Sequence, residues 1–224
     1  MEPRLSEKLK ERLRDPETGT WRYLWLLLFY PFYITSFFLL EKLPMNFHVV
    51  ECSLDHLIPF CEWFVIPYVL WHGAIGLLSL YLLFFDIPNL KKLIRFFLIT
   101  YVITLAVYLI WPTSQELRPT VFPRQNLFTW LTEHVIYGAD TSTNVCPSMH
   151  IIGTIGLWCA ATRSPRFTGP LAKTLWFLLC LAICLSTVFL KQHSLIDIVA
   201  ALPVALIGWL PVYGRRKRAE DGKR

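Results

Sequence analysis

Residues 64–85 read FVIPYVLWHGAIGLLSLYLLFF, an unbroken run from Phe64 to Phe85 without one Asp, Glu, Lys or Arg. At 1.5 Å per residue such a run forms a helix of about 33 Å, enough to cross a hydrocarbon core of about 30 Å. Its apolar character continues around the whole helix, the pattern of a span rather than of a surface helix in water. Working outward, Trp21–Leu40, Leu93–Trp111, Leu171–Leu190 and Leu195–Val212 repeat the pattern, and Pro147–Ala161 is a shorter version of it. These segments predict an all-α, six-span transmembrane helical bundle forming one membrane domain over residues 21–213. An N-terminal segment (1–20) and a basic tail (214–224) flank it.

Composition supports this reading. Hydrophobic residues make up 54% of the chain, the mean hydropathy is +0.45, and there are 9 Trp, 16 Phe and 9 Tyr. A soluble domain of 224 residues has too little interior to hide that much apolar surface. The formal charge of +6 does not indicate nucleic acid, because the basic residues flank apolar runs instead of forming one patch. The first run ends in Glu41-Lys42-Leu43-Pro44 without a small-residue cleavage site, so it reads as an uncleaved span. Cys159, Cys180 and Cys184 fall within apolar runs as small hydrophobes. Cys52, Cys61 and Cys146 fall outside, where a Cys52–Cys61 bridge is open to an oxidising compartment.

The basic residues give an orientation. Arg4, Lys8, Lys10, Arg12, Arg14 and Arg22 precede span one. Lys91, Lys92 and Arg95 lie between spans two and three, and Arg163, Arg166 and Lys173 between spans four and five. Arg215, Arg216, Lys217, Arg218, Lys223 and Arg224 follow span six. Only Lys42, Arg118, Arg124 and Lys191 fall on the other side. The asymmetry predicts both termini in the cytoplasm. The stretch Leu5–Leu13 reads either as an amphipathic helix on anionic headgroups or as a solvated tail.

On the extracytoplasmic side so defined, three polar segments meet the bilayer edge. They are Leu117-Arg118-Pro119, Cys146-Pro147-Ser148-Met149-His150 and Lys191-Gln192-His193-Ser194-Leu195-Ile196-Asp197. Pro147 suits the first turn of a helix, whose free N–H groups with the Ser148 hydroxyl would bind an anion. His193 and Asp197 are four apart and share a helical face, so the carboxylate can orient the imidazole as a nucleophile or base. An ionisable residue such as Asp197 just inside a span is a functional candidate because it is costly in lipid. Arg118 offers a planar fork to phosphate oxygens, and Lys191 and Arg124 offer further positive charge. His48, His56, His72 and His134 read as interfacial residues. The outer carboxylates Glu51, Asp55, Glu62, Glu116, Glu133 and Asp140 are scattered, so no metal site is expected.

These residues resemble the type 2 phosphatidic acid phosphatase superfamily, whose membrane members carry Lys-x6-Arg-Pro, Pro-Ser-x-His and Ser-Arg-x5-His-x3-Asp. Here Pro147-Ser148-Met149-His150 is intact, Ser186, His193 and Asp197 keep their spacing, and Arg118-Pro119 remains. The likeness runs over roughly Tyr108–Asp197. The Lys of the first motif falls on Trp111 and the Arg of the third on Thr187, with Lys191 or Arg124 available as replacements. Inositol phosphorylceramide and sphingomyelin synthases are similar in keeping the two histidines and Asp while losing basic positions. The resemblance implies a metal-independent, cofactor-free lipid phosphatase. His193 attacks phosphorus, Asp197 steadies its imidazolium, and His150 protonates the leaving oxygen. Arg118, Ser148, Lys191 and Arg124 bind the phosphate of a phosphorylated lipid. Two other readings stay open: a phosphotransferase moving a phospho-headgroup to an alcohol, and a non-catalytic transporter or lipid-binding protein on the same scaffold.

Overall fold

The computed structural model describes residues 20–214. The terminal segments expected at 1–20 and 214–224, the Leu5–Leu13 stretch and most of the basic tail therefore lie outside the described residues, apart from Thr20 and Gly214. A 3-10 segment, Thr20–Leu28, runs directly into helix α1 (Phe29–Leu40). There follow β1 (His48–Val49), α2 (Val65–Phe85), α3 (Ile87–Ile110), β2 (Thr113–Ser114), α4 (Leu127–Trp130), α5 (Tyr137–Ala139), α6 (Met149–Arg163), α7 (Pro170–Phe189) and α8 (Leu195–Tyr213).

Five helical stretches are long and apolar enough to cross a membrane. They are Thr20–Leu40, Glu62–Phe85, Ile87–Ile110, Pro170–Phe189 and Leu195–Tyr213, of 21, 24, 24, 20 and 19 residues. Large apolar side chains stand exposed along them, among them Leu77, Leu80, Val102, Phe177, Val199 and Leu206. In water so much exposed apolar surface would aggregate, whereas against lipid tails it is the natural exterior. The expected third span starts earlier than its apolar run. Asp86 alone separates α2 from α3 and accepts from the Asn89 N–H at 3.3 Å, with Pro88 in the first turn. Lys91, Lys92 and Arg95 therefore sit on the first turns of α3 and not in a loop.

The expected fourth span is different in kind. α6 has 15 residues, about 22 Å of helix, and most of them are buried. It packs against α2, α3, α7 and α8. Close approach is possible because two of its residues lack a side chain. A Cβ on Gly156 would stand 2.6 Å from Phe97, and one on Gly153 would stand 2.6 Å from Trp71. Its ends are tied to α3: the Tyr108 hydroxyl donates to the Pro147 carbonyl at 2.8 Å, and Asn89 Nδ2 donates to the Ala160 carbonyl at 2.8 Å. Pro147 itself lies outside the helix, which starts after an N-cap at Ser148.

The connections at one end of the bundle form a polar cap. β1 and β2 pair in parallel, His48 with Thr113 and Val49 with Ser114, and Ser114 bridges Thr143. Cys52 and Cys61 are both free thiols. Beneath this cap stand the N-termini of α2, α6 and α8 and the C-termini of α3 and α7.

Candidate functional site

α8 is capped by Ser194, whose N–H donates to Asp197 Oδ2 at 2.9 Å while its hydroxyl accepts from the Ile196 N–H at 3.1 Å. This capping box turns the Asp197 side chain back toward the residue before the helix. The same Oδ2 lies 3.2 Å from His193 Nδ1, and His193 Nε2 lies 3.3 Å from His150 Nδ1. The result is a buried linear chain, Asp197–His193–His150, assembled from the heads of two helices. The carboxylate assigns the tautomers. Asp197 accepts the Nδ1 proton of His193, which leaves Nε2 with a lone pair and makes His150 Nδ1–H the donor to it.

Two devices hold this geometry. Ser148 N–H donates to the Asp197 carbonyl at 3.1 Å and so joins the head of α6 to that of α8. The buried Asp55 carboxylate accepts from Ser194 Oγ at 2.6 Å, from the Leu195 N–H at 2.8 Å and from the Cys52 N–H at 2.7 Å. Burial raises its pKa, but these hydrogen bonds together outweigh burial and hold the carboxyl below its ordinary value. Cys146 lies beside Asp197, and burial, then the charge and hydrogen bond of Asp197, push its thiol up to about 12.

The two histidines line a cavity of about 580 Å³, together with Gln192 and Asp140. The remaining wall is mostly aromatic and aliphatic, from Phe29, Tyr33 and Phe37 of α1 to Trp71 and Ile75 of α2. The His150 ring lies between those of Tyr68 and Trp71, at centroid distances of 4.6 and 4.4 Å. Tyr68 in turn donates to Asp140 Oδ2 at 2.5 Å.

The expected phosphate binders fare unequally. Arg118 joins the site through its neighbour: Nη2 donates to Gln192 Oε1 at 2.5 Å and to the Asp140 carbonyl at 2.6 Å, and the guanidinium sits 4.3 Å over the Tyr137 ring. Burial lowers its pKa, against the opposing charge of Asp140. Ser148 is fully buried as the cap of α6, accepting from the Ile151 N–H at 3.4 Å. Lys191 points away from the cavity. Its ammonium donates to the carbonyls of Asp55 at 2.6 Å and Ile58 at 2.5 Å, and burial lowers its pKa. Arg124 is held by Glu62 through Nε at 2.7 Å and Nη2 at 3.0 Å. Its side chain is 58% exposed and Glu62 is buried beneath it, with Asn126 donating to the same carboxylate at 2.9 Å. Neither Lys191 nor Arg124, the expected stand-ins for the missing cations, lines the cavity; in this structure both are engaged in the cap.

Further residues join the site. His72, read as interfacial, lines the cavity with its ring 6.2 Å from that of His150. Tyr68, Trp71, His72 and Ile75 recur at helical spacing along one face of α2, a signal within reach of the sequence. Gln192, set between Lys191 and His193 in the chain, carries no such signal. No group of three or more His, Cys, Asp or Glu side chains arranged to hold a metal ion occurs among the described residues. Comparison with protein-family models, with curated proteins and with solved structures finds no match to this chain.

Proposed function

We propose that the protein is a membrane lipid phosphatase working through a phosphohistidine on His193, of the type 2 phosphatidic acid phosphatase kind that its motifs resemble. The observation that carries this reading is the hydrogen-bonded chain Asp197–His193–His150, whose two imidazoles line a mostly apolar cavity. Asp197 fixes the His193 tautomer and stabilises the positive charge that develops on attack. His193 Nε2 bonds to phosphorus and the bond from phosphorus to the leaving oxygen breaks; His150, which takes up a proton at Nε2 as the acidic phosphate enters, supplies that oxygen's proton from Nδ1 and is left as a neutral imidazole. Water then attacks phosphorus, its proton returns to His150, and the P–N bond breaks. At 3.3 Å the two imidazole nitrogens leave no room for a phosphoryl group, so the rings part as substrate enters. The aromatic wall offers an apolar surface to lipid tails.

A second reading, a phosphotransferase with an alcohol acceptor, is favoured by the cation count. With Lys191 and Arg124 engaged in the cap, Arg118 is the one Lys or Arg side chain among the described residues seen bonded to the cavity lining, through Gln192 and Asp140. In either reading α6 completes six crossings, with both termini cytoplasmic and the cap outside, as the basic residues suggest.

The test is to incubate purified protein with headgroup-labelled phospholipids, with and without acceptor lipids, quench rapidly, and identify the products and any labelled peptide. Acid-labile label on His193, lost in His193→Asn, is expected. Turnover unchanged in His193→Asn removes the mechanism, and no turnover of any phospholipid favours a binding or transport role.

A further inference from the structure

Three nitrogen atoms of cavity-lining side chains lack a hydrogen-bond partner: Trp71 Nε1, Gln192 Nε2 and His150 Nε2. Their residues are 5%, 2% and 8% exposed. A buried polar group left unpaired costs about 1–3 kcal/mol, so three around one cavity need a reason. His150 Nε2 carries a lone pair in the neutral tautomer chain, but the other two are obligate donors.

Both donors are held in place by surrounding contacts. Arg118 binds the Gln192 amide oxygen at 2.5 Å, which defines the amide orientation, and the Gln192 backbone N–H is tied to the Thr187 carbonyl at 2.9 Å. The indole of Trp71 lies across Gly153, where a Cβ would come within 2.6 Å of the ring and 3.2 Å of Nε1. Its ring also packs on His150. One donor therefore adjoins His193 in sequence and the other belongs to a ring packed at a 43° tilt against His150, so the two flank the imidazole pair.

We propose that Trp71 Nε1–H and the Gln192 amide N–H donate to the non-bridging oxygens of the phosphate group, forming a neutral anion hole. This rests on the phosphate reading above. It assigns to these two residues the work that the resemblance would give to basic side chains at Trp111 and Thr187, neither of which lines the cavity. Preorganised neutral donors in a water-poor site stabilise charge effectively, because they are not hydrated and need no reorganisation when charge develops.

The experiment measures orthovanadate binding to the purified full-length protein in detergent micelles by calorimetry, with each variant's own melting temperature and gel-filtration profile as the folding control. Trp71→Phe removes the N–H and keeps a ring, and Gln192→Met keeps length and removes the amide. Each is expected to raise the Kd for vanadate at least about tenfold, the usual loss for a hydrogen bond to a charged group, while remaining folded. A folded variant at either position that binds vanadate within about twofold of wild type overturns that residue's assignment. If Trp71→Phe fails to fold, Gln192→Met decides the proposal alone. Wild-type protein that binds no vanadate overturns the phosphate reading itself, whereas wild-type binding with unchanged variants overturns only the neutral anion hole.

Discussion

At the scale of single residues, a side chain's charge says less than its partners do. Lys191 and Arg124 have the chemistry of phosphate ligands, yet one ammonium is spent on two carbonyls and one guanidinium on a buried carboxylate. Nothing in their local sequence marks this, because Asp55, Ile58 and Glu62 lie far off in the chain. His150, His193 and Asp197 were legible because a four-residue helical spacing is local and the Pro-Ser-x-His motif is contiguous. Asp55 illustrates the opposite case, a carboxylate dismissed as scattered that in fact anchors the head of α8. Asp55→Asn replaces an acceptor facing three donors with a group carrying an N–H of its own. It is expected to lower stability by about 2–4 kcal/mol at neutral pH. The sign with pH follows from the depressed pKa: the wild-type advantage is fully present above the ordinary value of 3.8 and fades only as pH falls through the lower folded value. Thermal melts of both proteins between pH 7 and pH 3 check this, and a gap that narrows on going up in pH contradicts it. Lys191 carries a second residue-scale expectation, since its backbone is left-handed at φ 55°. Lys191→Gly and Lys191→Ala both lose the ammonium, but only Ala pays the left-handed penalty, so Ala should be less stable by about 1 kcal/mol. Equal melting temperatures would mean that the turn relaxes.

At the scale of elements, the long apolar runs were readable because lipid imposes length and composition on any helix facing it. α6 escapes that constraint, since its neighbours cover it, and its sequence is correspondingly shorter and richer in Gly and Thr. The same covering explains its glycines, whose purpose is invisible without the partner rings. Gly156→Ala should force Cβ into Phe96 and Phe97 and cost about 1–3 kcal/mol. Gly73→Ala on α2 is the matched control. A Cβ there meets nothing within 4 Å, and the substitution should leave stability unchanged or raise it by about 0.5–1 kcal/mol through helix propensity. Comparing the two melting temperatures separates packing from propensity. A Gly156→Ala protein as stable as wild type would mean that α3 and α6 are free to move apart.

At the scale of the whole molecule, the issue is whether α6 crosses the bilayer although its 15 residues reach only about 22 Å. Its neighbour supplies the measure. α3 touches the two ends of α6 at Tyr108 and Asn89, and those positions are nineteen residues apart on one helix, about 28 Å. The segment from Pro147 to Ala160 with its flanks therefore covers nearly the depth of a full span. The shortfall is made up by non-helical backbone at its ends, which is tolerated at membrane depth when protein rather than lipid surrounds it. Thr120 and Thr168 are both exposed, and of the membrane-depth helices only α6 lies between them in the chain. Each is changed to Cys in a background without the six native cysteines, and intact cells are treated with a membrane-impermeant maleimide. Thr120→Cys is expected to react in intact cells and Thr168→Cys only after permeabilisation, in line with the sparse basic residues around the first and their abundance around the second. The reverse pattern would invert the protein in the membrane and turn the candidate site toward the cytoplasm. Labelling of both from one side would mean that α6 enters the bundle and returns, leaving an odd number of crossings and the two chain ends on opposite faces.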